Sequence, residues 1–250
     1  MHAPEPTWVL VRGLMRDQRH WGDFLPLLRQ HWPKQHFQAI DIAGNGTLHQ
    51  QPSPIRIAAM TEQLRAELIA PIRLTGVIAI SMGGMIALDW MTRYPDEINH
   101  AVLINTSIRP YAPFYWRLQP ARYPMLLRLL SSSYLERERL ILALTANTQG
   151  HNASVLQQWQ TFQTQAPVSR INALRQLYAA ARFQLTAPPP KQPLLLLASR
   201  KDRLVDFRCS RALQQAWHVP LVLHPKAGHD LTLDDPHWVI EQMATWRQAL

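Results

Sequence analysis

A single hydroxyl stands between an apolar run and two glycines in Gly76-Val77-Ile78-Ala79-Ile80-Ser81-Met82-Gly83-Gly84. Val77, Ile78 and Ile80 are β-prone, and the small Ala79, Gly83 and Gly84 let the backbone reverse, so the stretch reads as strand, tight turn and helix start. A serine at such a turn is lifted clear of both elements in a strained conformation, its hydroxyl exposed and the next N–H groups aimed at whatever sits above it. The chemistry this suits is nucleophilic attack on a carbonyl carbon. A serine hydroxyl is a poor nucleophile at neutral pH and needs a base, usually an imidazole steadied by a carboxylate. The chain has 11 histidines and 17 acidic residues to draw on. A serine that merely caps a helix is the alternative reading of the same residues.

The elements around Ser81 must supply those partners. With 250 residues and 47% apolar content the chain is long enough for one α/β domain with an insertion. Thr7 to Arg12 reads as a strand running into the loop Gly13 to Asp17, followed by a helix from His20 to His31. A short strand at Phe37–Asp41, a helix at Ile55–Ile69 ending before Pro71, the elbow strand, a helix at Gly83–Tyr94 stopped by Pro95, and an apolar strand at Ala101–Asn105 continue the alternation. Strands alternating with helices predict a parallel sheet. From Ser107 to Pro190 no strand pattern occurs. Prolines 110, 113, 120 and 124 punctuate an aromatic stretch, and helical periodicity covers 125–130, 134–144, 155–162 and 171–183, before Pro188-Pro189-Pro190 forms a stiff linker. The sheet resumes at Pro193–Ser199, then come a helix at Cys209–Trp217, a strand at Pro220–His224 and a last helix at Pro236–Leu250.

This layout resembles the α/β-hydrolase family of serine hydrolases, carboxylesterase-like and lipase-like enzymes with a helical cap. The elbow matches the family pattern G-x-S-x-G, with Ala79 in place of the first glycine. The resemblance implies a core at 1–106 and 191–250, a cap or lid at 107–190, and Ser81 as nucleophile. In the family order of serine, acid and histidine, the acid falls at Asp202 in Asp202-x-x-Val205 and the base at His229 in Gly228-His229, each on the loop after a late strand. His224, His237, Asp206 and Asp230 are rivals: His224 and His237 lack a preceding glycine that lets the loop swing toward the serine, Asp206 comes second after its strand, and Asp230 is expected to point away from its neighbour His229. The oxyanion hole carries over to the backbone N–H groups of Leu14 and Met82, with Arg12 where the family commonly has histidine before Gly13. Trp21 and the cap aromatics Tyr111 and Trp116 are candidate substrate contacts. Asp41-Ile42-Ala43-Gly44-Asn45-Gly46 is similar to a family turn and is read as structural.

The implied reaction is hydrolysis of a small-molecule carboxylic ester through an acyl-enzyme. The basic cap and the chain's size are also similar to the pimeloyl-carrier methyl ester esterases; thioesterase chemistry and a non-catalytic binding module are the other readings. The chain carries a net charge of +9, and residues 107–187 hold nine arginines against two glutamates, a net of +7. That excess is either a solvated basic face or a docking surface for an anionic partner: a substrate carboxylate, an acidic acyl carrier protein or an anionic surface. Nucleic acid is not expected, because basic residues confined to a cap are a poor footprint and no motif accompanies them. There is no His-x-x-x-His with a glutamate, no acidic cluster, and no Rossmann or Walker glycine pattern, and Cys209 is the only cysteine, so neither metal nor cofactor is expected. Without an eighteen-residue apolar run, and with a polar Met1–Pro6, the expectation is a cytoplasmic protein with no transmembrane segment.

Overall fold

Six short, β-prone runs pair side by side, every pairing parallel, in the order β2-β1-β3-β4-β5-β6. The computed structural model describes residues 7–68, 72–185 and 188–250. The strands are β1 (Thr7–Val11), β2 (His36–Ile40), β3 (Gly76–Ile80), β4 (Ala101–Ile104), β5 (Leu194–Ser199) and β6 (Leu221–His224). The helices are α1 (Phe24–His31), α2 (Ile57–Ala66), α3 (Met82–Arg93), α4 (Phe114–Arg117), α5 (Tyr123–Ser131), α6 (Tyr134–Thr145), α7 (Ala153–Gln165), α8 (Arg170–Arg182), α9 (Arg208–Trp217), α10 (Leu231–Asp234) and α11 (Pro236–Gln248).

Alternate residues of a strand face opposite sides of a sheet, and the core divides accordingly. Val9, Val11, Val77, Ala79, Leu103 and Leu196 face α2, α3 and α9, whereas Leu10, Ile78, Ile80, Val102 and Leu197 face α1 and α11. Both faces are covered, which is why β3, β4 and β5 are apolar at almost every position. Helices α4 to α8 lie between β4 and β5, and the middle of that insertion has its own apolar cluster around Leu140, Leu142, Trp159 and Val168.

The expected elements are present, with shifted ends. The expected His20–His31 helix is instead a 3-10 turn at Gln18–Trp21 and then α1, because Gly22 takes φ +47° between them. The two shortest helices, α4 and α10, have too few residues for a periodic signal. The expected helix end at Ile69 before Pro71 and the polar start at Met1–Pro6 lie outside the described residues. Among the described residues no helix is long and apolar enough to cross a membrane.

The sheet order places β1 between β2 and β3, so the chain's progress across the sheet reverses there. In open parallel sheets the crevice at such a switch point, beyond the carboxyl ends of the strands, is where ligands bind. The loop Gly13–Asp17 leaves β1 at this edge, and Ser81 leaves β3 beside it. Gly83 makes the close approach possible: a Cβ there would stand 2.4 Å from the Val11 carbonyl oxygen and 2.8 Å from that of Arg12. Gly83→Ala is therefore expected to destabilise the protein by about 1–3 kcal/mol through overpacking. A urea midpoint equal to that of the wild type would show that β1 and α3 can part at no cost.

Candidate active site

Ser81 sits at φ +57° and ψ −121°, a conformation that L-residues rarely adopt, at the N-cap of α3. The surrounding backbone enforces it. The Ser81 N–H donates to the Ile104 carbonyl at 2.9 Å, and the Ser81 carbonyl accepts from the Gly84 N–H at 3.0 Å and the Thr106 hydroxyl at 2.9 Å. The side chain points into a crevice, with Gly13 directly opposite: a Cβ on Gly13 would lie 3.0 Å from the Ser81 Cβ. Met82 begins α3, so its N–H belongs to the first turn, whose donors have no intrahelical acceptor, at the positive end of the helix dipole.

His229 lines the same crevice, and its Nδ1 stands 2.7 Å from Asp202 Oδ2. Both are buried. The other carboxylate oxygen of Asp202 accepts from the N–H groups of Leu204 at 2.7 Å and Val205 at 3.0 Å. This is the physical content of the Asp-x-x-Val spacing: the aspartate closes its own turn with one oxygen and keeps the other for the imidazole. A carboxylate that only accepts places the ring proton on Nδ1 and leaves Nε2 with a free lone pair. The rival histidines have other work. His224 Nδ1 accepts from the Ala227 N–H at 2.8 Å and shapes the loop leading to His229, while His237 is exposed on α11. Asp206 is tied to Arg208.

Gly228 has a different task from the one expected. A Cβ there would stand 2.5 Å from the Thr145 carbonyl oxygen, so the glycine admits the end of α6 against the loop. Asp230 points away from His229, as expected, and its destination explains Arg12. The Arg12 guanidinium donates from Nη1 to Asp230 Oδ1 at 3.1 Å and from Nη2 to Oδ2, with both residues buried. Burial opposes ionisation of Asp230, but the Arg12 charge and hydrogen bonds outweigh it and hold its carboxyl below the usual carboxylate range. An arginine thus occupies the expected histidine position because it cross-links the loop after β1 to the loop after β6.

The cavity above Ser81 has about 600 Å³ of atom-free space, part of it open to solvent. Gly13, Leu14, Ser81 and His229 line its base, and Leu126, Leu129, Ile141 and Leu144 from the inserted helices line its upper walls. The three aromatics expected to touch substrate are elsewhere. Trp21 is buried in the sheet core, its ring 4.9 Å from the Arg12 guanidinium carbon. Tyr111 packs edge-on against Trp217, and Trp116 packs on the Val205 and Cys209 cluster. The family resemblance points to Trp21 and aromatic character to Tyr111 and Trp116, whereas the aliphatic side chains that do reach the cavity differ in no sequence signal from ordinary helix packing.

Arg16 also lines the cavity, ion-paired to Glu138 of α6 at 2.9 Å and stacked on Trp159. His20 lies behind it, fully enclosed between Trp159 and Phe162. Desolvation and the adjacent Arg16 charge lower its pKa from 6.5 to about 4. Burial pushes the Glu138 carboxyl the other way, upward. Asn105, at φ +48°, donates to the His229 carbonyl at 2.8 Å and accepts from the Ser199 N–H at 2.9 Å. Its signal was a lone asparagine, tolerant of the left-handed region, ending an apolar strand. Among the described residues no group of three or more His, Cys, Asp or Glu could hold a metal ion.

Residues 8–242 match the family model described as the alpha/beta hydrolase family. The chain belongs to that family. It is 28% identical to a Pseudomonas syringae protein named "Putative carbamate hydrolase RutD", over 94% of this chain and 91% of that one. It is 25% identical to a pimeloyl-[acyl-carrier protein] methyl ester esterase of Photobacterium profundum, over 87% of this chain and 89% of that protein. A thermophilic esterase of Thermogutta terrifontis shares the fold with a TM-score of 0.74 at 20% identity, covering 98% of this chain and 90% of that one.

Two predictions follow the buried charges of this hydrolase. Arg12→Met and Asp230→Leu are each expected to cost about 3–5 kcal/mol in urea unfolding, and the double variant much less than their sum. Additive losses would show that the two side chains are not coupled. His20 stays neutral in the fold down to about pH 4, whereas the unfolded chain takes up the proton near 6.5. Protons therefore favour unfolding across that interval, and His20 withdraws about 3 kcal/mol of stability as pH falls from 6.5 to 4. Because Glu138 acts with the opposite sign, the measurement is the difference between wild type and His20→Asn at pH 7 and at pH 4.5. Parallel stability curves would mean that His20 titrates alike in both states.

Proposed function

We propose that this α/β hydrolase cleaves carboxylic esters through an acyl-enzyme on Ser81. The observation that carries the reading is the 2.7 Å contact between His229 Nδ1 and Asp202 Oδ2, with His229 on the wall of the cavity that Ser81 also lines. Ser81 Oγ attacks the acyl carbon as His229 Nε2 takes its proton, and the negative charge that gathers on the carbonyl oxygen is met by the N–H groups of Leu14 and Met82. Asp202 steadies the imidazolium. His229 then returns the proton to the leaving alcohol, and the same imidazole draws a proton from water as it attacks the acyl-enzyme, which releases the acid and restores Ser81. Backbone donors fixed by a helix N-terminus and a strand-end loop need little reorganisation as the charge develops.

The aliphatic upper wall favours an unbranched or modest acyl group over a polar one. Carbamate hydrolysis is the second reading, favoured by the resemblance to the Pseudomonas syringae relative; it places the same groups around a carbonyl bonded to nitrogen. A carrier-bound methyl ester, as the name of the Photobacterium profundum relative suggests, would use the same residues with a longer entry.

A fluorophosphonate probe is expected to label the wild type at Ser81 and to leave Ser81→Ala unlabelled. On a panel of methyl and p-nitrophenyl esters with a carbamate series beside it, kcat/KM of Ser81→Ala should fall by about 10⁴-fold or more. Undiminished turnover in that variant would remove Ser81 from the chemistry, and a folded wild type that neither reacts with the probe nor turns over any member of the panel would assign the cavity to binding alone.

A further inference from the structure

Helix α8 is built inside out for a surface helix. Its inward positions are Asn172, Ala173, Gln176, Ala179 and Ala180, all buried, while its outward positions carry Ile171 at 67% exposure, Leu174 at 47%, Leu177 at 38% and Tyr178 at 48%. A helix of a water-soluble surface buries its apolar stripe and shows polar residues to solvent. The polar inward face is accounted for: Gln176 donates to Asn45 Oδ1 at 2.7 Å and to the Ser53 hydroxyl at 2.9 Å and accepts from the Met15 N–H at 2.8 Å, while Asn172 accepts from the Ser53 N–H at 2.9 Å. The outward apolar stripe is not explained by packing within the chain.

At 100° per residue, Ile171, Leu174, Leu177 and Tyr178 share one arc of α8 with Arg175 and Arg182, and no acidic residue lies on the helix. The stripe also continues beyond α8. Arg117 of α4 donates to the Ala180 carbonyl at 2.6 Å, which sets α4, with exposed Phe114 and Tyr115, beside the end of α8. Arg170 donates to the Ser132 carbonyl at 3.2 Å, which sets the start of α8 beside α5, where Leu127 is exposed. Leu126 and Leu129 of that same helix α5 line the cavity above Ser81.

We propose that the outer face of α8, with α4 and α5, docks on an anionic lipid surface. Large aliphatic and aromatic side chains interspersed with arginine are the composition of interfacial helices: the apolar groups enter the boundary between headgroup and acyl chain, and the guanidinium groups pair with lipid phosphates. The absence of carboxylates along α8 fixes the sign of the partner's charge. Docking by this face brings the α5 wall of the cavity next to the membrane, so that an ester dissolved in the bilayer has a short route to Ser81. A lipid surface fits the mixed stripe because it offers apolar depth and negative charge together along the whole helix.

The test uses the full-length protein and sedimentation with vesicles of phosphatidylcholine, either alone or with a one-third share of phosphatidylglycerol, at low and high salt. Wild type is expected to partition to the phosphatidylglycerol vesicles in preference and to be released by salt. Leu174→Ser/Tyr178→Ser should lower that partitioning about tenfold or more, and Arg175→Gln/Arg182→Gln should lower it about tenfold and weaken the salt dependence. Both variants should hydrolyse a short water-soluble ester like the wild type, which separates docking from the chemistry at Ser81. Equal partitioning of wild type and both variants would overturn the proposal. So would binding to an acidic acyl carrier protein with no vesicle binding, or a dimer in sedimentation velocity that Leu174→Ser/Tyr178→Ser dissociates while vesicles are ignored.

Discussion

The Arg12–Asp230 pair is the constraint that the rest of the site depends on. β1 and β6 are separated in the sheet by β3, β4 and β5, so the loops that follow them have no backbone pairing to bring them together. A bidentate buried ion pair does it instead, with Trp21 beneath the guanidinium and the Thr232 hydroxyl beside it at 3.3 Å. Removing two charges from water is expensive, and the arrangement holds only because the donors and the carboxylate are matched in geometry. The outcome is geometric: Leu14 is two residues beyond Arg12, and His229 immediately precedes Asp230. Whatever fixes this pair fixes the backbone donor and the imidazole relative to each other.

A second cross-link ties the same loop to the inserted helices. Arg16 pairs with Glu138 of α6, and Arg203, one residue past Asp202, donates to the Ala146 carbonyl at 2.9 Å at the end of that helix. The Asp230 N–H donates to the Thr145 carbonyl at 2.8 Å. The cavity is therefore bounded by a helix held at both the acid loop and the histidine loop. A helix attached to both loops in this way transmits its position to Asp202 and His229, and the apolar residues it contributes to the cavity can be tuned only within that tether.

The architecture was legible, and so was the placing of Ser81 at a strand-to-helix turn and of Asp202 and His229 on the loops after later strands, because those readings rest on local chemistry: a strand that needs a small residue to turn, and an aspartate that closes its own loop. The lining of the cavity was not. Trp21 matches a recurrent aromatic of the family and Tyr111 and Trp116 are aromatic, yet the sheet core and the neighbouring helices take all three, since large aromatic groups have the most to gain from burial. Arg12 departs from the histidine that the family commonly has, and its partner Asp230 lies 218 residues away. No periodicity or spacing reports a contact of that range. Asn105 and Gln176 were missed for the same reason: their hydrogen bonds reach across elements that only the folded sheet brings together.

The basic charge of the insertion shows how a sequence sum can mislead about a surface. Arg117, Arg122, Arg137 and Arg170 donate to backbone carbonyls of neighbouring segments, with Arg137 buried against Val168. Arg128 and Arg139 share Glu136. Arg117, Arg128, Arg137 and Arg170 thus link one segment of the insertion to another, Arg122 links it to the loop after β5, and Arg139 pairs within α6, so these six say little about a partner. The outward charge on α8 is narrower: Arg175 and Arg182 stand among leucine, isoleucine and tyrosine on a face that should by ordinary logic be polar throughout. Polar residues turned inward to bind Ser53 and Asn45 leave the apolar ones no other side to occupy, so the exposure of that stripe is a consequence of how α8 is anchored. The arginines spaced among it then give the exposed face its positive sign.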